Sequence, residues 1–517
     1  VSPSRADTLA RAGVAALSGV ALFLSAPPYK LWPLCFCAAA GLAWAVRELP
    51  WRRAFGVGLL AASMYWVFAA QWLVGTVVRF TGLPRAVAFV LFALFCFGQS
   101  LMVGVQCAAS ALARPTLGAG LAAALAALAA ERYVSAVFAW QFAAPLVDAP
   151  WLPQAADVVT VSGISALVHG TATAAVQWAS ERSKGTPSRS TRIGLYGALA
   201  LSVLGVGYGA VRSARFASSA SRPIVRVALV QPAVPPLTRW DERAAEGILQ
   251  TLHAETGRAI AMRPDLIVWH EGAYPYVLPH EPGVDGLRGP PVYPVREVPP
   301  IVFGLMSAGE GPTRYNGVFV RNEDGTLSAP VAKRALVPFG EAVPLASTLP
   351  WLARAFALSG GISPGAGSPL LRTRAGLTFG VLVCLEDTLA HVAADAADGA
   401  LLVNLTNDAW FIDPIALEEH LLMARWRSIE LRRETVRAVN TGVSGQIDAR
   451  GRMVVRGPTN QATVLLVHAR TWDVTTFAPR FARWAGPSAA LTLILAALWT
   501  ARARRRASRA PQAGVEA

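Results

Sequence analysis

Lysine is nearly absent from this chain. Of 47 basic side chains only three are lysine, Lys30, Lys184 and Lys333. Whatever bias made almost every basic position arginine spared Lys333, which points to a site needing a compact ammonium rather than a planar fork. Charge is sparse as well, at 15% of residues, and the mean hydropathy is +0.41. Those values exclude an ordinary soluble enzyme of 517 residues. Seven histidines are scattered without metal-ligand spacing, so neither a metal nor a soluble cofactor is implied. Of the five cysteines, Cys35, Cys37, Cys96 and Cys107 lie in long apolar runs, which leaves Cys384 without a partner in the polar part of the chain.

What is abundant is apolar sequence. Runs long enough to approach a bilayer's ~30 Å core lie at about 9–27, 31–46, 54–74, 86–111, 117–138, 158–179 and 193–211, with an eighth at 485–500. The first reads as an uncleaved anchor, because further runs follow it and it lacks a small-residue cleavage signature. The expected layout is a seven-span membrane domain (1–215), a globular domain (223–475), a closing span (484–503) and a basic tail (504–517). Arginine-rich segments such as "VRELPWRR", "SERSKGTPSRSTR" and "ARARRRASR" alternate with loops that hold few basic residues, which predicts a cytoplasmic N-terminus and an outward-facing globular domain. In a bacterial cell that is the inner membrane with a periplasmic domain. Topology accounts for much of the net charge of +15, so nucleic acid is not the implied partner.

Within 223–475 the runs "IVRVALVQPA", "PDLIVWHE", "PPIVFGLMS", "NGVFVRN", "GLTFGVLVCLE", "GALLVNLTND", "TVRAVNTG" and "ATVLLVHAR" predict strands. The segments 241–263 and 414–434 predict helices by their apolar spacing. Several strands are apolar on both faces, as in sheets buried between layers, which predicts an α/β sandwich. Proline and glycine gather at 274–300 and 359–369, marking long loops. The apolar, basic segment 343–361 is too short to span a membrane. It reads either as ordinary loop packing or as an interfacial patch.

A lone cysteine at a strand end is most often apolar filler. Cys384, however, closes a strand and is followed by Leu385-Glu386-Asp387 and a helix-like start, the pattern of a nucleophile on a sharp turn, exposed and near backbone N–H groups that lower its pKa. Glu271 ends another strand just before a proline-rich loop. Glutamate as base, lysine as cation and cysteine as nucleophile suffice for acyl transfer.

The order "WHEGAYP", "KRALVPFGEAVPL", "VCLED", "NLTNDAWF" resembles the nitrilase, or carbon–nitrogen hydrolase, superfamily. Its flanking by seven apolar segments and one more is similar to the apolipoprotein N-acyltransferase family, as are "VALVQPAVPPLTRWDE" with Trp240, "YNGVFV" with Asn316, "SAPPYKLWPL" and "WQFAAPL". The resemblance implies a polytopic α-helical membrane domain of about eight spans, plus an αββα sandwich. It implies a catalytic triad of Glu271, Lys333 and Cys384, with Glu341 orienting Lys333, Glu386 shaping the pocket and the Leu385 N–H joining Lys333 at the oxyanion. The implied reaction moves an acyl chain from a phospholipid donor, through a cysteine thioester, to the amine of a diacylglyceryl apolipoprotein acceptor. Trp240, Trp351 and Phe356 are then expected lipid contacts, His270 and His420 structural residues, and the enzyme a monomer. Leu385 stands where the family usually has tyrosine, while His270 and Gly272 replace proline and serine or threonine. The alternatives are a membrane-tethered amidase that uses water, and a catalytically silent lipoprotein-binding homologue.

Overall fold

The computed structural model describes residues 4–134, 137–217, 222–235, 238, 242–338, 340–343, 348, 361–411 and 413–509. Trp240, Trp351 and Phe356 lie outside the described residues, as does most of the apolar segment 343–361.

The eight apolar runs fold as helices, the third run supplying both α3 and the start of α4. In order these are α1 (Arg5–Ser25), α2 (Leu34–Val46), α3 (Trp51–Ala69), α4 (Trp72–Thr81), α5 (Arg85–Leu117), α6 (Ala119–Tyr133), α7 (Ala156–Arg182) and α8 (Arg189–Ala217), with the eighth run forming a C-terminal helix, Ala478–Arg509. Among the described residues five helical stretches are long and apolar enough to cross a membrane singly, and α3 with α4, bent by 61°, makes a sixth. The runs at 31–46 and 117–138 yield shorter helices of 13 and 15 residues. In the first, the proline-rich turn before Leu34 delays the helix, and in the second the helix stops at Tyr133 just after Glu131 and Arg132. Apolarity alone does not register where the backbone leaves the helix.

The globular part contains β1 (Ile224–Gln231), α9 (Ala245–Ala261), β2 (Leu266–Val268), β3 (Ile301–Ala308), β4 (Arg314–Arg321), β5 (Val331–Ala332), β6 (Leu370–Arg372), β7 (Thr378–Val383), β8 (Leu402–Thr406), α10 (Pro414–Leu431), β9 (Thr435–Val439), β10 (Gly445–Ile447), β11 (Met453–Arg456) and β12 (Thr463–Arg470), followed by the C-terminal helix as α11. One sheet runs β12-β1-β2-β3-β4, with β5 also on β4, and the other runs β11-β10-β9-β8-β7-β6. β1, β2 and β3 are parallel neighbours, as are β7, β8 and β9.

The two sheets pack face to face. Val227, Leu229, Val268, Val302 and Val320 of one meet Phe379, Val381, Val403, Leu405 and Val436 of the other in a single buried cluster. Each such side chain contributes about 1.5–3 kcal/mol by leaving water. The opposite face of the first sheet carries Ile267, Trp269 and Phe303 against Ile248, Leu249 and Leu252 of α9. Leu382 and Leu402 on the far face of the second sheet pack with Leu431 of α10. Strand alternation thus yields helix, sheet, sheet, helix, the expected αββα order.

α10 is buried on more than one side. Asp413 caps it by accepting from the Ile415 N–H at 2.8 Å, and Pro414 occupies the first turn. Leu422, Met423, Trp426 and Ile429 join the core of the membrane helices. The Trp426 indole donates to Ala144 O at 3.0 Å, and the Val161 N–H donates to Glu430 at 2.9 Å. At its end Arg432 takes φ +51° and donates to Asp157 and Gln154 at 2.7–2.8 Å. The sandwich is therefore seated on the membrane helices through α10.

Candidate active site

Three strand ends and one loop bring the predicted groups together. Glu271 follows β2, Lys333 follows β5, and Cys384 follows β7 at the start of a short 3-10 turn, Cys384–Thr388. The strands place these residues at one end of the sandwich, because β2 and β7 lie in different sheets that face each other.

Cys384 adopts φ +51°, a conformation that strains a residue with a Cβ by about 1–3 kcal/mol. The strain turns the chain sharply between strand and 3-10 turn, as the sequence pattern anticipates. The Leu385 N–H lies in the opening turn, where N–H groups have no partner within the helix. Cys384 is only 9% exposed, whereas the sequence reading expects an exposed thiol. Burial pushes its pKa well above the ordinary value, Glu271 adds to this, and Lys333 opposes it. The expected depression of the thiol's pKa is thus reversed in this site.

Glu271 is tied down at both oxygens. Oε1 accepts from Asn316 Nδ2 at 2.7 Å and lies 3.3 Å from Lys333 Nζ, and Oε2 accepts from the Asn407 N–H at 3.0 Å. Glu341 Oε1 lies 2.9 Å from Lys333 Nζ and 3.3 Å from Asn316 Nδ2, and its Oε2 accepts from the Val337 N–H at 2.9 Å. Lys333, 1% exposed, thus lies between two carboxylates. Burial works against its ammonium, but Glu271, Cys384 and Glu341 outweigh burial and hold its pKa above the usual lysine value.

Glu386 does not meet Lys333 directly. Its Oε1 accepts from the Arg334 and Ala335 N–H groups at 2.6 and 3.1 Å, and Oε2 accepts from the Val383 N–H at 2.9 Å. One carboxylate thereby fastens the lysine loop to the cysteine turn.

Two of the three departures from the family pattern have local reasons. Gly272 takes φ +57°, where glycine has no steric cost. Leu385 packs against the inter-sheet core and keeps its N–H. His270 Nδ1 lies 2.8 Å from Glu271 O, in the turn that carries Glu271. Sequence reasoning missed Asn407 as a holder of Glu271, although "NLTNDAWF" contains it. A backbone N–H leaves no composition signal. Among the described residues no group of three or more His, Cys, Asp or Glu could hold a metal ion.

A cysteine at a strained strand end of an αββα sandwich, beside a lysine and two glutamates, fits the carbon–nitrogen hydrolase class, and the family model described as carbon-nitrogen hydrolase matches residues 226–477. A second, described as the apolipoprotein N-acyltransferase N-terminal domain, matches residues 18–174. An apolipoprotein N-acyltransferase from Sinorhizobium medicae (strain WSM419) is 30% identical over 484 residues, covering 86% of this chain and 87% of the relative. One from Geobacter metallireducens (strain ATCC 53774 / DSM 7210 / GS-15) is 28% identical over 494 residues, covering 90% and 91%. The chain belongs to the apolipoprotein N-acyltransferase family. Among solved structures, an amidase from Nesterenkonia sp. is 15% identical with a TM-score of 0.34, covering 49% of this chain and 92% of that one. Family membership and the apolar helices make this a membrane protein of the acyltransferase type.

Proposed function

We propose that this protein transfers an acyl chain from a membrane phospholipid to the α-amino group of a diacylglyceryl-cysteine at a lipoprotein N-terminus, through a thioester on Cys384. The observation that carries the reading is the position of Lys333 between Glu271 and Glu341, beside a cysteine at a strained strand end, in a chain of this family.

In the first half-reaction Glu271 accepts the Cys384 proton as sulfur attacks the ester carbonyl. The Lys333 ammonium and the Leu385 N–H stabilise the oxyanion. Its collapse expels the lysophospholipid alkoxide, which takes the proton from Glu271. In the second half-reaction the acceptor, having lost its ammonium proton to water, attacks the thioester as a free amine. Glu271 takes the amine's second proton and returns it to the departing thiolate. A positioned base typically supplies ~10²–10⁴-fold, and loss of one oxyanion donor costs on the order of 10²–10³. Asn316 and Glu341 hold Glu271 and Lys333 in register.

Both substrates are anchored in lipid, which explains a sandwich seated on membrane helices through α10. The domain boundaries at 215, 223, 475, 484 and 503, a periplasmic catalytic domain in a bacterial inner membrane, and a monomeric state belong to the same proposal, as do lipid contacts at Trp240, Trp351 and Phe356. The family relationship favours amine transfer over the membrane-tethered amidase and the silent binder.

The test is mass spectrometry of the purified protein with a defined phospholipid. Wild type should gain one hydroxylamine-labile acyl mass, discharged by a diacylglyceryl peptide with a free amine, and Cys384→Ala should gain none. Discharge by water alone would overturn the acyltransferase reading in favour of a hydrolase, and a folded protein that forms no adduct would overturn both.

A further inference from the structure

The turn that presents Cys384 rests on four buried charged side chains that the mechanism above does not use. His420 of α10 lies with Nε2 2.9 Å from Asp387 Oδ1 and Nδ1 2.8 Å from Asp408 Oδ1. Arg437 of β9 pairs with Asp387, approaches Asp408 Oδ2 at 3.2 Å and donates to Asn404 Oδ1 at 2.8 Å. All four charged side chains are at most 3% exposed.

The distances favour the imidazolium form of His420. A carboxylate oxygen accepts, and a neutral imidazole has a single N–H. Either neutral tautomer would therefore set a bare ring nitrogen against a carboxylate oxygen closer than 3 Å. Only the imidazolium donates to both. Its Nδ1 also lies 3.2 Å from Arg437 Nη2, a contact between cations that Asp408 bridges. Two carboxylates, one imidazolium and one guanidinium then sum to zero.

We propose that His420 is a positioning residue for acyl transfer: clamped as an imidazolium between Asp387 and Asp408, it balances the charge beneath the turn and so favours the Cys384 thiolate. This rests on the reading of Cys384 as the nucleophile. Asp387 belongs to the same five-residue turn as Cys384, and Asp408 acts on the thiol in the direction that opposes ionisation. Without the imidazolium the site beneath the turn carries one uncompensated negative charge. At an effective dielectric near 20, one uncompensated buried charge acting on the thiol lowers the thiolate fraction by about ten- to a hundredfold.

The other groups around His420 are paired or distant. Arg427 is bound to Glu430 at 3.0 Å and donates to Thr388 O at 3.4 Å. On the same helix Glu418 pairs with Lys30 and Arg456, and Glu419 accepts from Tyr65 Oη at 3.2 Å. The nearby ring of Phe411 is uncharged. Beyond Cys384 stand Lys333, Glu271 and Glu341, which His420 does not touch. Burial lifts Glu419 to about 8, so Glu419→Gln is the control for any titration in that range.

The test is the rate at which iodoacetamide alkylates Cys384 in the full-length protein in detergent, followed by mass spectrometry of the Cys384 peptide at pH 6.5 to 7.5, where His420 carries its charge. His420→Gln should lower that rate by about ten- to a hundredfold. The double variant His420→Gln/Asp408→Asn, neutral again, should return it toward wild type. Asp408→Asn alone leaves one excess positive charge and should raise it. An unchanged rate in folded His420→Gln, or no return in the folded double variant, would overturn the proposal. Should His420→Gln fail to fold, an unchanged rate in Asp408→Asn would overturn it equally. Failure of the nucleophile reading looks different: wild type with Cys384 fully alkylated would still acylate the acceptor peptide.

Discussion

Glu386 holds the site together in a way that can be broken by one substitution. Its carboxylate accepts three backbone N–H groups, those of Arg334, Ala335 and Val383, and it is 2% exposed. In Glu386→Ala all three donors lose their acceptor in a buried place, and each such loss costs about 1–3 kcal/mol. Water entering the space left by the side chain recovers part of this, so the expected total is about 3–6 kcal/mol. That is comparable with the whole stability of many domains, ~5–15 kcal/mol. The loop after Lys333 should therefore come loose from the cysteine turn, and the transfer rate should drop by on the order of 10²–10³, the cost of one displaced oxyanion donor. Glu386→Gln keeps the oxygen that serves Arg334 and Ala335 but turns an NH₂ toward the Val383 N–H. A loss of about 1–3 kcal/mol is expected. Thermal unfolding in detergent and acyl-peptide formation measure the two effects separately. A Glu386→Ala protein with wild-type unfolding temperature and wild-type transfer rate would refute the reasoning.

Two further outcomes are expected. A Cβ at position 304 would stand 2.5 Å from the Gly272 N and 3.0 Å from the Glu271 Cα, so Gly304→Ala should destabilise by about 1–3 kcal/mol and displace Glu271. Thioester formation at least tenfold slower than wild type is expected, and an unaltered rate would rule out that close approach. His420 gives a pH dependence of stability: burial alone would lower its pKa, but Asp408 and Asp387 outweigh burial and lift it to about 9 from 6.5. The contribution, about 3 kcal/mol, is complete below pH 6.5 and disappears as pH rises through 9. Unfolding temperatures should fall from pH 6.5 to 9.5 in wild type and less in His420→Gln, and equal slopes in the two would exclude this assignment.

An α/β sandwich was legible because β-strand alternation and two amphipathic helices are local patterns, whereas the αββα order came from the family resemblance. The eight expected strand runs all contain strands, although "PDLIVWHE" is extended only at Leu266–Val268. The short β5, β6, β10 and β11 were not anticipated, since two to four residues carry too little periodicity. α10 showed apolar spacing like any surface helix. That its other side is buried too, by membrane helices, depends on residues more than 250 positions away, such as Ala144 and Asp157.

The sequence by itself determined the apolar helices and the alternating strand pattern, and scarcity singled out the candidate residues: one of three lysines, one cysteine outside the apolar runs, and a glutamate at a strand end. Only the tertiary structure decided that Lys333 sits between Glu271 and Glu341, that Asn407 holds Glu271 by its backbone N–H, and that His420 meets two carboxylates. Those relations are distances between segments far apart in the chain. Hydrogen bonds and ion pairs need alignment within tenths of an ångström, and the packing of the two sheets supplies it.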